Sequence, residues 1–193
     1  MANVDASFGA RPIKRDGSAG YDGSARKYII AAAEATDLFI NDFVQLSGTA
    51  ILDLGNGKTY PGVVRTTAGN GNYSVGVIVG FIPDTEASLQ YKTDATTQRA
   101  VLVADDPDQL FEIQADGSVA LTDIGNTADI IFTNAGSTVT GVSGAELDTS
   151  DIGTGKQLTI VGLRQQDRND LSSANPVLIV KIQEHQKRNL TGV

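Results

Sequence analysis

The chain reads as short apolar runs cut at close intervals by Gly, Asp and Asn. Residues 26–31 (RKYIIA) and 37–46 (DLFINDFVQL) come first. In the second run Leu38, Ile40, Phe43 and Val44 are apolar, and Asn41-Asp42 breaks the alternation, which predicts a bulge or tight turn. Residues 31–35 (AAAEA) allow a helical turn but are too few to stand as a helix. Residues 51–54 run into Gly55-Asn56-Gly57, a strong turn signal, and 60–65 follow with Pro61 at a strand start or edge. Residues 75–82 (VGVIVGFI) form the most hydrophobic run and fit a buried central strand. Shorter strands are predicted at 89–92 and 99–104. Residues 110–114 (LFEIQ) alternate between two turns, Asp105-Asp106-Pro107-Asp108 and Ala115-Asp116-Gly117-Ser118, and the Asp-Gly of the second predicts a hairpin. A helical turn at 121–126, a strand at 129–133, loops and weak strands over 134–156, and strands at 157–163 and 177–184 complete the chain. In the last strand Val180 and Ile182 share one face, Lys181 and Gln183 the other. Punctuation about every 8–15 residues, with no sustained helical period, predicts an all-β fold, either a single β-sandwich or a small β-barrel.

Residues 1–25 depart from this pattern. Gly, Ala, Ser and charge alternate there, with only Val4, Phe8, Ile13 and Tyr21 as sizeable apolar side chains, a spacing that suits neither helix nor strand. The expected organisation is an extended N-terminal arm, 1–25, on a β-rich body, 26–193, with the arm ordered by a partner. Charge sharpens this picture. Residues 1–30 hold five bases against three acids, 31–156 hold 17 acids against five bases, and 157–193 hold five bases against three acids. Two basic ends flank an acidic body, which would allow the ends of one copy to lie on the body of another. The expected partner contacts are Phe8, Arg11, Ile13, Lys14, Arg15 and Tyr21, apolar anchors interleaved with cations. Docking of the arm on its own body is the competing reading.

Candidate chemistry is sparse. There is no Cys, so disulfide, thiol and cysteine-metal chemistry are excluded. The net charge of −8 argues against nucleic acid as a partner. No apolar run is long enough to span a membrane and no leader resembles a signal peptide, so the chain is expected to be made and used without secretion. The sole histidine, His185, has no framed serine beside it; Ser172 and Ser173 sit in no motif, and a surface or capping role is expected. Asp105, Asp106, Asp108, Glu112 and Asp116 resemble a cation site in composition but lack calcium-loop spacing. The glycines of 69–76 precede a strand and no Lys-Ser or Lys-Thr, so they are not a phosphate loop. With no Trp, five Tyr and six Phe, an aromatic sugar platform is weak. No enzymatic activity, cofactor or metal is expected.

Five segments, 3–15 (NVDASFGARPIKR), 37–44 (DLFINDFV), 103–114 (VADDPDQLFEIQ), 141–148 (GVSGAELD) and 180–185 (VKIQEH), together resemble capsid decoration or cement proteins of tailed bacteriophages, found beside the major capsid protein. The resemblance implies a virion structural protein, made in the host cytoplasm. Its β-rich body would sit on the outer capsid surface and its arm would cross neighbouring major capsid subunits. It also implies self-association as a homotrimer or dimer, and no enzymatic role. The alternatives from other classes are a phage spike, fibre or carbohydrate-binding β-domain, and a glycan hydrolase on a β-scaffold.

Overall fold

A computed structural model describes residues 3–17, 20–85, 89–93, 95–166 and 169–188. In chain order the strands are β1 (Arg11–Arg15), β2 (Arg26–Ile30), β3 (Leu38–Phe39), β4 (Phe43–Leu52) and β5 (Thr59–Arg65). Then follow β6 (Gly76–Ile82), β7 (Tyr91–Lys92), β8 (Arg99–Ala104), β9 (Gln109–Gln114) and β10 (Thr127–Ala128). The last are β11 (Ile130–Ile131), β12 (Glu146–Leu147), β13 (Leu158–Leu163) and β14 (Val177–Ile182). Among the described residues the only helical pieces are 3₁₀ turns at Leu121–Asp123 and Gln186–Arg188. The fold is all-β.

Of the two architectures that the sequence pattern left open, the small barrel is present, joined to a separate open sheet. Strands β2-β5-β4-β6-β8 close a five-stranded barrel, and β1-β9-β14-β13-β10 form a five-stranded sheet. The barrel has one parallel contact, β2 with β5 at Ile29↔Gly62, and antiparallel pairing elsewhere. Strand alternation explains how the two halves meet. Val44, Ile78 and Val103 point into the barrel with Tyr28, Val63 and Phe81. Their strand neighbours Phe43, Val77 and Ala104 point outward and pack with Phe111, Ile113, Leu158, Ile160 and Val180 of the sheet. One barrel wall is therefore buried on both faces, which accounts for the unbroken apolar run in β6. The rings of Phe43 and Phe111 lie 6.3 Å apart at 60° across this seam, a tilted contact of the kind aromatic pairs prefer.

Two expectations change. Residues 11–15, read as part of an arm outside the body, form the edge strand β1, antiparallel to β9 with Arg11↔Glu112 and Arg15↔Gln109 in register. The sequence RPIKR carries little strand signal of its own; the unpaired edge of β9 supplies the ladder partner. The turn at 105–108 joins two strands as expected, but they belong to different layers, β8 to the barrel and β9 to the sheet. The Asp-Gly after β9 does not make a hairpin. Asp116 instead accepts hydrogen bonds from Thr149, N–H at 2.9 Å and hydroxyl at 2.7 Å, while β9 pairs with β1 and β14.

The break at Asn41-Asp42 is a tight turn. Asn41 has φ +72°, a left-handed conformation that Asn tolerates. Buried Asp42 accepts the Phe39 N–H at 2.7 Å and the Ser143 hydroxyl. Burial pushes its carboxyl up to about 6, and those two hydrogen bonds oppose the rise.

Candidate partner interface

The N-terminal segment is held chiefly through its main chain. Gln114 at the end of β9 donates from Nε2 to the Val4 carbonyl at 2.8 Å and accepts the Ala6 N–H on Oε1 at 2.9 Å. Asn41 Nδ2 donates to the Phe8 carbonyl at 2.9 Å, and the Asn41 carbonyl accepts the Ala10 N–H at 2.9 Å. Gln109 Nε2 donates to the Lys14 carbonyl at 2.9 Å. Asn3 donates to the Asp170 carbonyl at 2.8 Å and accepts the Asp170 N–H at 2.9 Å. Gly9 is the tightest point: a Cβ there would lie 2.5 Å from the Asn41 carbonyl oxygen and 2.7 Å from Ser143 Cβ, on a backbone with φ +69°. Only glycine fits that geometry.

These contacts decide where the six expected partner residues sit. Phe8 is half-buried, with the Arg11 guanidinium 5.3 Å from its ring centroid. Arg11 pairs with Glu112 at 2.5 Å and Arg15 with Asp106 at 2.7 Å, each arginine side chain about half exposed. Ile13 is half-buried and its carbonyl accepts the Tyr21 N–H at 2.8 Å; Lys14 is exposed. Tyr21 packs against the sheet core and donates its hydroxyl to the Ser24 carbonyl at 3.0 Å. Burial, with Asp22 and Asp105 adding to it, raises the Tyr21 phenol above its usual range. The structure thus brings Phe8 with Arg11 and strings the rest along one edge. All except Lys14, which meets the body through its main chain, spend part of their side-chain surface on the same chain.

The charge asymmetry is likewise satisfied inside one chain. Asp105 accepts the Tyr28 hydroxyl at 2.7 Å, faces Arg26 at 3.7 Å and bonds Lys187. Asp108 takes Lys181 at 2.8 Å and Arg188. The Lys181 ammonium, reinforced by the Arg188 and Arg15 guanidinium groups, holds the Asp108 carboxyl below its ordinary range. Glu112 takes Arg164 at 3.1 Å besides Arg11. Four of the acidic residues that resembled a cation site by composition, Asp105, Asp106, Asp108 and Glu112, therefore face the chain's own lysines and arginines, while Asp116 takes Thr149. Among the described residues no group of three or more His, Cys, Asp or Glu is placed to hold a metal.

His185 caps as expected but is buried, not on the surface. It is 1% exposed, and its Nδ1 accepts the Lys187 N–H at 3.1 Å, which puts the neutral ring's proton on Nε2, an atom without a partner. Burial, reinforced by Lys187 and Arg188, lowers its pKa to about 4. Ser172 and Ser173 turn their hydroxyls to Asp170 instead, at 2.8 and 3.1 Å. Sequence reasoning missed Asn41, Gln109 and Gln114, since an amide side chain carries no pattern until a backbone is laid across it. The one hint was the polar side of QLFEIQ, which would have needed covering once β9 was known to be wholly buried. Compared with protein-family models, with curated proteins and with solved structures, the chain finds no match.

Proposed function

We propose that this chain is a virion structural protein, a decoration or cement protein on the outer surface of a tailed-phage head. The observation that carries the reading is the N-terminal segment. It runs extended along the rim of a β-rich body and is held by main-chain hydrogen bonds and half-exposed arginines. The resemblance of 3–15 and 103–114 to that family adds to it, because these two stretches face each other as β1 and β9. In this reading the body sits at contacts between major capsid subunits, self-associated as a trimer or dimer. Phe8, Arg11, Ile13, Lys14, Arg15 and Tyr21 form the side that meets neighbours. Touching several subunits at once adds binding free energy at the seams of a shell under internal pressure.

The test is cosedimentation of the full chain with DNA-filled heads that lack it. Saturable binding is expected, weakened roughly tenfold in K14E/R15E because two contact cations are reversed. Absence of saturable binding by the unaltered chain would overturn the reading. One place for the carbohydrate-binding alternative is the open cleft of about 590 Å³ between the β4–β5 hairpin tip and β6 and β8. Lys27, Asp53, Asn56 and Gln98 line it beside Leu54 and Pro83. No aromatic side chain is among its lining residues, so it offers no stacking platform for a sugar ring.

A further inference from the structure

We infer that residues 3–15 exchange between copies, the strap of one chain seating in the groove of a second. The groove reads chiefly main chain: Gln114, Asn41 and Gln109 hydrogen-bond backbone groups of residues 4, 6, 8 and 14, and the side-chain contacts are the ion pairs of Arg11 and Arg15 and the Asn3 amide. This is how an extended peptide ligand is recognised at a sheet edge. Apolar packing holds it at Ala10, which is buried in the sheet core, and is looser toward its start. Val4 is 77% exposed, and a cavity of about 300 Å³ lies between the strap and the body, lined by Val4, Phe8, Gln114, Asn169 and Val177 among others. Selectivity comes from Gly9, whose site leaves no room for a Cβ. The identical segment of another copy meets that requirement without any new complementarity.

The connector is pinned at Tyr21, which packs on the sheet core, and is open on either side of it. Gly17 and Gly23 both have positive φ, and a Cβ added at either would have nothing within 4 Å. Residues 16, 17, 20 and 22–24 are exposed. A ten-residue stretch from 16 to 25 spans up to ~33 Å when extended. Because the same contacts form within one chain or between two, the balance is set by concentration. A short tether competes at an effective concentration on the order of 1 mM. Dilute chains keep their own strap; crowded ones share them. This goes beyond binding to a shell, and its test uses the chain alone.

The chain has no Cys, so single-cysteine variants report cleanly. R11C and E112C alter cross-strand partners, and the Cα separation of such partners, about 4.5–5.5 Å, suits a disulfide. The two variants are mixed at about 1 mM, where the tether no longer dominates, and mildly oxidised. A covalent heterodimer joined between positions 11 and 112 is expected, about tenfold above an R11C and K58C mixture and falling as the mixture is diluted. D16C with D108C, whose backbones are hydrogen-bonded at 2.8 Å, gives a second pair, at an exposed and a half-buried site. The double variants R11C/E112C and D16C/D108C, closing within one chain when dilute, establish that the groove is intact. Closure in a double variant with no excess heterodimer from the corresponding mixed singles would overturn the exchange. Failure here leaves binding to heads untouched, and failure to bind heads leaves this result standing.

Discussion

The N-terminal segment meets the body through main-chain groups and half-exposed arginines, whereas the C-terminal segment enters it with a buried histidine. Both carry net positive charge and both end on the acidic turn at 105–108. Arg15 reaches Asp106 at 2.7 Å with both side chains substantially exposed, 56% and 30%. Lys187 reaches Asp105, whose side chain is only 8% exposed. Around that second contact the Ser74 N–H donates to the Glu184 carbonyl and the Gln186 N–H to the Ser74 carbonyl, each at 2.9 Å. Gln186 Oε1 also accepts the Leu46 N–H of β4 at 2.7 Å. The C-terminal segment therefore ties the sheet, through β14, to the barrel. It is part of what makes the two halves one object, while the N-terminal segment lies along an edge. The difference teaches that equal charge does not mean equal anchorage; burial of the counter-charge decides it.

The sharpest way to break this comparison is to remove the two carboxylates one at a time. D105A strands Lys187 and the Tyr28 hydroxyl and should cost about 3 kcal/mol, because a buried partner is left uncompensated. Urea denaturation monitored by circular dichroism measures it, and a loss no larger than that of D106A would erase the distinction.

A comparable effect lies hidden in the pH dependence. His185 falls from an ordinary 6.5 to about 4 when folded. Its contribution is complete above pH 6.5 and is lost as pH falls toward 4. Asp42 rises from 3.8 to about 6. Its contribution is complete below 3.8 and is lost as pH rises through 6. Each amounts to about 3 kcal/mol, and over pH 4–6 the two slopes oppose each other. H185Q should therefore grow less stable from pH 4 to 6, and D42N more stable, relative to the unaltered chain. Denaturation midpoints across that range test the pair, and parallel profiles in the two variants would refute the opposition.

A smaller effect separates the ends directly. G9V forces a left-handed backbone and a side chain against Asn41 and Ser143, a strain of about 2 kcal/mol. Hydrogen exchange should then speed up at Ala6 and Ala10 while the Ser74 and Gln186 amides keep their protection. Loss of protection at all four would mean that the two ends form one cooperative unit. The smallest effect is D106A itself, at about 0.5 kcal/mol or less and shrinking further in high salt, as an exposed ion pair requires.

How far the sequence announced this molecule depends on the element. Strands β2, β5, β6, β8, β9, β13 and β14 lie where apolar runs and turn residues placed them, because a run buried on a pleated face carries its own period. Asn41-Asp42 was legible as a break for the same reason. Strand β1 was not, since Arg11–Arg15 has a proline, three cations and one partly buried isoleucine; its strand character comes from the edge of β9. The signs of the charges were legible, but not whether they would pair within a chain or between chains, which needs the turn at 105–108 in place. Gln114, Gln109 and Asn41 act only once a backbone lies across them.

The amino-acid sequence by itself determined an all-β chain with basic ends and an acidic middle, since periodicity and charge are local properties. Only the tertiary structure decided that barrel and sheet share a wall, that the C-terminal segment locks them together and that the N-terminal segment lies on the rim. Those outcomes rest on which edges remain unpaired and which carboxylates are buried after the strands have packed, and neither is set by neighbours along the chain.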